Sequence, residues 1–105
     1  MNGRKWALPF AVRWSSTAWQ QYQDAMDFVA ADKPQAALEQ DASVTSGVAR
    51  LGPFPKMGRA GRLLGTRELV VSGTPFIVVY RVQEEVGEVQ VIRFLQGAQQ
   101  WPKVE

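Results

Sequence analysis

The strongest constraint on this chain lies between residues 66 and 95, where three strand-like runs follow one another with only short breaks. The first is Thr66 to Val71, T-R-E-L-V-V. Ser72-Gly73-Thr74-Pro75 interrupts it: glycine reaches backbone angles closed to other residues, and proline has no N–H to give a ladder. The second run, Phe76 to Val82 (F-I-V-V-Y-R-V), is apolar on both alternations until Arg81. That is the pattern of a central strand covered on both faces. Gln83 to Gly87 is polar apart from Val86 and ends in glycine, which suits a hairpin turn. The third run, Glu88 to Leu95 (E-V-Q-V-I-R-F-L), is rich in β-branched and aromatic residues. Connections this short predict an antiparallel meander, because a parallel pair needs a long crossover. Each run carries one arginine: Arg67, Arg81 and Arg93.

Upstream the periodicity changes. Leu8 to Trp14 reads as a strand, with Phe10, Val12 and Trp14 alternating with Ala11 and Arg13. Ser15, Ser16 and Thr17 then offer helix N-caps. From Thr17 to Ala31 the apolar residues Trp19, Tyr22, Met26 and Val29 recur every three or four positions, one face of an amphipathic helix. This stripe is read as core packing. Asp32-Lys33-Pro34 closes that helix and opens a second, because proline is tolerated in a helix's first turn. The second helix is expected from Pro34 to Leu51, with Ala37, Val44, Val48 and Leu51 as its stripe. Two helices so closely joined form an αα-hairpin. The predicted fold is therefore α+β: an N-terminal strand, an αα-hairpin, then a three-stranded antiparallel meander forming one twisted sheet.

Gly52 to Gly65 is irregular, G-P-F-P-K-M-G-R-A-G-R-L-L-G, with the cations Lys56, Arg59 and Arg62. Phe54, Leu63 and Leu64 are expected to pin it to the core. Loops of this length often carry function, but no G-K-[ST] follows these glycines, so they do not form a phosphate loop. After Leu95 comes Q-G-A-Q-Q-W-P-K-V-E, in which Trp101 either folds back on the domain or meets a partner.

Composition narrows the chemistry. At 105 residues the chain, residues 1–105, is expected to form one domain. It has no cysteine, hence no disulfide and no thiolate metal site. It has no histidine, so the commonest general acid–base and the commonest metal ligand are both missing. Asp24, Asp27 and Asp32 read as a polar helix face, and no metal or other cofactor is expected. No apolar run approaches the roughly 20 residues of a membrane span. The N-terminal W-A-L-P-F-A-V is short and broken by Pro9, so no signal peptide and no membrane association are expected. The absence of cysteine fits a reducing, cytoplasmic location. The formal charge of +2 and a pI near 9.3 point weakly to an anionic partner.

The three strand arginines all carry odd numbers, and strands alternate faces with period two, so a common face depends on register. On one face they would hold phosphates bidentately or stabilise a phosphorane-like transition state. The plainer reading is cross-strand ion pairing with Glu68, Glu84, Glu85 or Glu88. Tyr80, inside the apolar run, reads as core.

Four stretches together resemble the RelE/ParE superfamily of bacterial type II toxins, the plasmid-stabilisation proteins. They are A-A-D-K-P-Q-A-A (30–37), F-P-K-M-G-R-A-G-R-L-L-G-T-R-E-L-V-V (54–71), F-I-V-V-Y-R-V (76–82) and V-I-R-F-L-Q-G-A-Q-Q-W-P (91–102). The resemblance implies a growth-inhibiting toxin held in a hetero-oligomer by a cognate antitoxin, which Trp101 would help to bind. It implies one of two targets: RelE-like members cut messenger RNA in the ribosomal A site as endoribonucleases, and ParE-like members poison DNA gyrase. A detoxified relative that only binds antitoxin is the third possibility. By this resemblance Arg67, Arg81 and Arg93 are the catalytic candidates, and Lys56, Arg59 and Arg62 contact nucleic acid or another target. Many relatives end the last strand in leucine-histidine-glycine, where this chain has Leu95-Gln96-Gly97. Gln96 cannot exchange a proton near neutral pH, and no tyrosine follows Tyr80 to take over that role.

Overall fold

The computed structural model describes residues 8–97, 99, 101 and 102. Its elements run β1 (Ala11–Trp14), α1 (Ser16–Asp32), α2 (Pro34–Ala49), β2 (Arg59–Ala60), β3 (Arg67–Val70), β4 (Phe76–Gln83) and β5 (Glu88–Gln96). The five strands form one sheet in the order β1-β5-β4-β3-β2. β3, β4 and β5 are the expected antiparallel meander. Two features extend it. β1 pairs parallel with β5, Ala11 opposite Glu88 through Trp14 opposite Val91, so the sheet is mixed. The irregular loop contributes the two-residue strand β2, which pairs with β3.

Local chemistry fixes the helix ends. Ser15 is the N-cap of α1, its Oγ accepting the Ala18 N–H at 3.0 Å. Lys33 alone separates the helices: its N–H donates to the Val29 carbonyl and its own carbonyl accepts from Ala37. Pro34, whose missing N–H costs nothing in a first turn, starts α2. The second helix stops at Ala49, short of the expected Leu51. Leu51 N–H bonds to Val48 and Gly52 N–H to Ala49, so the chain tightens into i→i−3 turns while the Leu51 side chain stays fully buried. The predicted first strand likewise begins only at Ala11. Before it, the Phe10 N–H donates to the Gly52 carbonyl at 2.8 Å, tying this segment to the end of the hairpin.

The helices cover one face of the sheet. Ala18, Val44 and Val48 pack there with Leu69, Phe76, Val78, Tyr80, Val89, Val91 and Phe94. Of the predicted α1 stripe, Tyr22, Met26 and Val29 reach this core partly buried. Trp19 sits at its margin, 45% exposed, with its ring edge-on to Trp14 at 5.6 Å. The other face, called the open face below, carries a smaller cluster of Ile77, Val79 and Leu95, with Ile92 and Trp101 against it.

Residues directly opposite one another across a strand pair share a face. Arg81 lies opposite Gln90 and Arg93 opposite Val79, so both are on the open face. Arg67 lies opposite Tyr80 and is on the helix face. A one-residue irregularity in β5 produces this arrangement. Val79 pairs with Arg93 and Tyr80 with Val91, leaving Ile92 as an extra residue. That bulge turns Arg93 to the face of Arg81.

Candidate functional site

The open face gathers arginines from four elements. In β1, Arg13 lies opposite Gln90, which lies opposite Arg81 in β4, so Arg13 and Arg81 flank Gln90 in one row across the sheet. A second row runs from Arg59 in β2 through Glu68 and Val79 to Arg93 in β5. Arg81 and Arg93 are diagonal neighbours across the bulge, a relation within reach of long side chains. Arg13 is exposed and bonds Glu88 through Nε at 2.7 Å. Arg81 is exposed, and among the described residues no carboxylate forms a salt bridge with it. Arg93 is half-buried; its guanidinium lies 5.6 Å from the Trp101 ring centre, and its Nη1 donates to the Ile92 carbonyl. Arg13 was not a candidate from sequence, because its place depends on the parallel pairing of β1 with β5.

The basic loop is held beside this face by one carboxylate. Glu68 is buried, with a side chain only 1% exposed. It accepts from Arg59 Nη2 at 3.0 Å, from the Arg62 N–H and Nε at 3.0 Å each, and from Arg62 Nη2 at 3.1 Å. Burial works to raise the Glu68 pKa, but the bonds from Arg62 and Arg59 outweigh it and bring the group down to about 2. The same contact raises the pKa of Arg62 above its ordinary value.

On the helix face, Tyr80 is fully buried and its hydroxyl accepts the Gly58 N–H at 2.9 Å. Burial pushes the phenol pKa up, opposed by that bond and by Arg67. A Cβ on residue 58 would lie 2.7 Å from the Tyr80 hydroxyl, so only glycine fits there. Arg67 donates Nη1 to the Lys56 and Gly58 carbonyls, at 3.1 and 2.9 Å. Lys56 pairs with Glu84 at 2.8 Å, both largely exposed. These polar contacts anchor the loop, and the expectation of an apolar anchor is corrected for Phe54 and Leu64, while Leu63 is half-buried. Phe54 is 61% exposed and Leu64 fully exposed, and the loop is held instead by the N–H and guanidinium donors that reach Glu68 and by the carbonyls that receive Arg67.

Gln96 falls elsewhere. It lies opposite Phe76, five residues along β4 from Arg81, roughly 16 Å at strand rise, and on the helix face. It lines a recess of about 200 Å³ with Gln21, Asp24 and Gln99. Among the described residues no group of three or more acidic side chains is gathered as a metal would require, and no helix is long and apolar enough to cross a membrane.

A family model described as "ParE toxin of type II toxin-antitoxin system, parDE" matches residues 12–101. The chain belongs to the ParE toxin family. It is thereby a toxin of the RelE/ParE superfamily. A curated relative in Sinorhizobium fredii, Y4kP, named as a candidate toxin, is 32% identical over 89% of this chain and 94% of its own length. Among solved structures, the chromosomal ParDE toxin–antitoxin system from P. aeruginosa matches with a TM-score of 0.74 at 22% identity, covering 84% of this chain and 96% of the other. The RelBE2 complex from Mycobacterium tuberculosis matches at 0.62 and 22%, covering 85% and 99%. The intact E. coli RelBE complex matches at 0.61 and 11%, covering 87% and 99%. These likenesses establish the α+β fold that the ParE toxin shares with RelE-like proteins.

Proposed function

We propose that this ParE-family toxin arrests growth by binding its target through the open sheet face, without cutting RNA, and that a cognate antitoxin neutralises it. One observation carries the choice of binding over cleavage: among the described residues, the buried carboxylate of Glu68 and the buried phenol of Tyr80 are already committed to the loop. Attack of a 2′-hydroxyl on the adjacent phosphate needs groups that take and give a proton. Glu68 is closed off by Arg59 and Arg62 and keeps its charge down to about pH 2. Tyr80 is closed off by Gly58 and lies on the other face. Arginine stabilises charge but does not exchange protons. Gln96 is remote from Arg81, so a base restored there would not complete one constellation with it. A gyrase-directed toxin needs only shape and charge, which Arg13, Arg81 and Arg93 supply.

The antitoxin reading is supported by family membership and by the ParDE and RelBE complexes that share the fold. Ribosome-dependent cleavage is the second reading, favoured by Arg81 and Arg93 as neighbours able to clamp a phosphate. The deciding experiment adds purified toxin to a gyrase supercoiling assay and, in parallel, to translating ribosomes. Lost supercoiling with intact messenger RNA is expected. Codon-positioned cleavage with normal supercoiling overturns the binding reading.

A further inference from the structure

The two layers of this molecule carry opposite charge. Between Ser16 and Ala49 the hairpin holds five carboxylates (Asp24, Asp27, Asp32, Glu39 and Asp41) against one cation, Lys33. The rest of the chain then holds eleven of the twelve cations and five of the ten carboxylates. The small net charge of +2 therefore combines two regions of opposite sign.

One surface of α1 sets the negative charge around an aromatic ring. Asp24, Phe28 and Asp32 recur every four residues, so they stand in one row along the helix. All three are exposed, Phe28 by 75%. At helical rise the two carboxylates lie about 12 Å apart with the ring between them. Asp24 accepts from Gln20 at 2.9 Å, and among the described residues neither Asp24 nor Asp32 forms a salt bridge. The recess between α1 and α2 is lined from α1 by Gln23, Asp27 and Ala30 and by none of these three, so the row is a separate surface.

The open face carries the complement. Arg13 and Arg81 flank Gln90 in one row, two strand spacings or about 9.6 Å apart. Both are exposed. Arg13 gives its Nε to Glu88, and among the described residues Arg81 forms no salt bridge. The long arginine side chains span the small difference between the two spacings. A ring set over Gln90 would have a guanidinium on either side, and guanidinium planes stack on aromatic faces.

We propose that this toxin associates with itself head to tail, the Asp24–Phe28–Asp32 row of one copy seating on the Arg13–Gln90–Arg81 row of the next. The two rows match in sign, in spacing and in the uncharged residue at the centre. A contact between two different surfaces leaves one of each free, so copies add in series and do not stop at a pair. Exposed ion pairs are individually weak, so the association is weak, reversible and sensitive to salt. By the open-face reading above, a copy so covered withholds Arg81 from the target. The association itself stands whether or not that reading does.

Sedimentation of the purified full chain tests this. At concentrations on the order of 100 μM, suited to a small transient contact, species beyond the dimer are expected in about 20 mM salt. Raising salt to about 300 mM should weaken association on the order of tenfold. Two neutral variants then assign the surfaces. One removes the helix row (Asp24→Asn, Phe28→Ser, Asp32→Asn), and the other the sheet row (Arg13→Gln, Arg81→Gln). Each alone is expected to sediment as a monomer. Mixed in equal amounts they should form a one-to-one pair and nothing larger, because the mixture holds one intact surface of each kind. A wild-type chain that stays monomeric in low salt overturns the proposal, as does association indifferent to salt. Either variant associating like wild type, or a mixture that fails to pair, also overturns it. None of these results reads growth arrest or supercoiling, so failure here is distinct from failure of the toxin reading.

Discussion

Arg62 closes on Glu68 with three hydrogen bonds, one from its backbone N–H and two from its guanidinium, while Arg59 supplies a fourth. The carboxylate is buried, yet its pKa is lowered from 4.5 to about 2. A depressed acid stabilises the fold above its unfolded pKa, and that contribution disappears as pH falls through the folded value. The shift corresponds to on the order of 2–3 kcal/mol, after allowing for water screening of the partly exposed arginines. Urea unfolding should show wild-type stability falling by this amount between pH 5 and pH 2. Glu68→Gln should be less stable at pH 7 and should lose that part of the acid dependence. Parallel acid limbs in the two proteins would assign the effect to other carboxylates.

Tyr80 and Gly58 form the second anchor of the same loop. Tyr80→Phe keeps the ring but leaves the Gly58 N–H buried without an acceptor, at a cost of roughly 1–3 kcal/mol. Gly58→Ala should cost more, because the added Cβ also comes within 2.9 Å of the Glu68 carbonyl, which belongs to strand backbone and cannot swing away. Thermal melting of both variants checks the order. A Gly58→Ala protein that melts with wild type would contradict the close approach.

The meander, the αα-hairpin and the N-terminal strand were legible because each has a clear hydrophobic period and short connections. Arg59–Ala60 was not, since two residues carry no period, and the strand forms where Glu68, Arg67 and Tyr80 hold the loop against the sheet. The faces of the arginines were not legible either. Parity along the sequence holds only while register is unbroken, and the extra residue at Ile92 reverses it for Arg93. Arg67 has the same parity as Arg81 but lies opposite Tyr80, so its strand enters the sheet one step out of phase. The parallel pairing that brings Arg13 beside Gln90 joins residues far apart in the chain and leaves no local signal.

Trp101 packs over Ile77, Val79 and Leu95 while Arg93 lies near its ring. A tail that caps this small cluster contributes to stability, so Trp101→Ala should lower it by about 1–3 kcal/mol, less than a fully buried tryptophan would. Trp101→Phe should recover much of the loss through its retained ring. Melting followed by near-ultraviolet circular dichroism reads both. An unchanged melting temperature in Trp101→Ala would mean that the ring serves a partner and not the fold.

Arg67 and Arg81 occupy adjacent strands but opposite faces, and their substitutions should separate scaffold from function. Arg67 spends its guanidinium on the Lys56 and Gly58 carbonyls. Arg67→Ala removes two charge-assisted bonds and should cost about 1–3 kcal/mol. Arg81 is exposed beside Gln90 and Arg93. Arg81→Ala should leave stability within about 0.5 kcal/mol of wild type, as ordinary surface changes do. If the open face meets the target, that same variant should nonetheless lose growth arrest when induced without antitoxin. The measurement is paired: the melting temperature of each purified variant, and colony counts on induction. Arg81→Ala that melts normally and still arrests growth would remove Arg81 from the target-binding face. Arg81→Ala that melts early would show a structural partner in place of a functional one. Arg67→Ala should lose arrest only to the extent that it loses the fold, so restoring stability at lower temperature should restore toxicity for Arg67→Ala and not for Arg81→Ala.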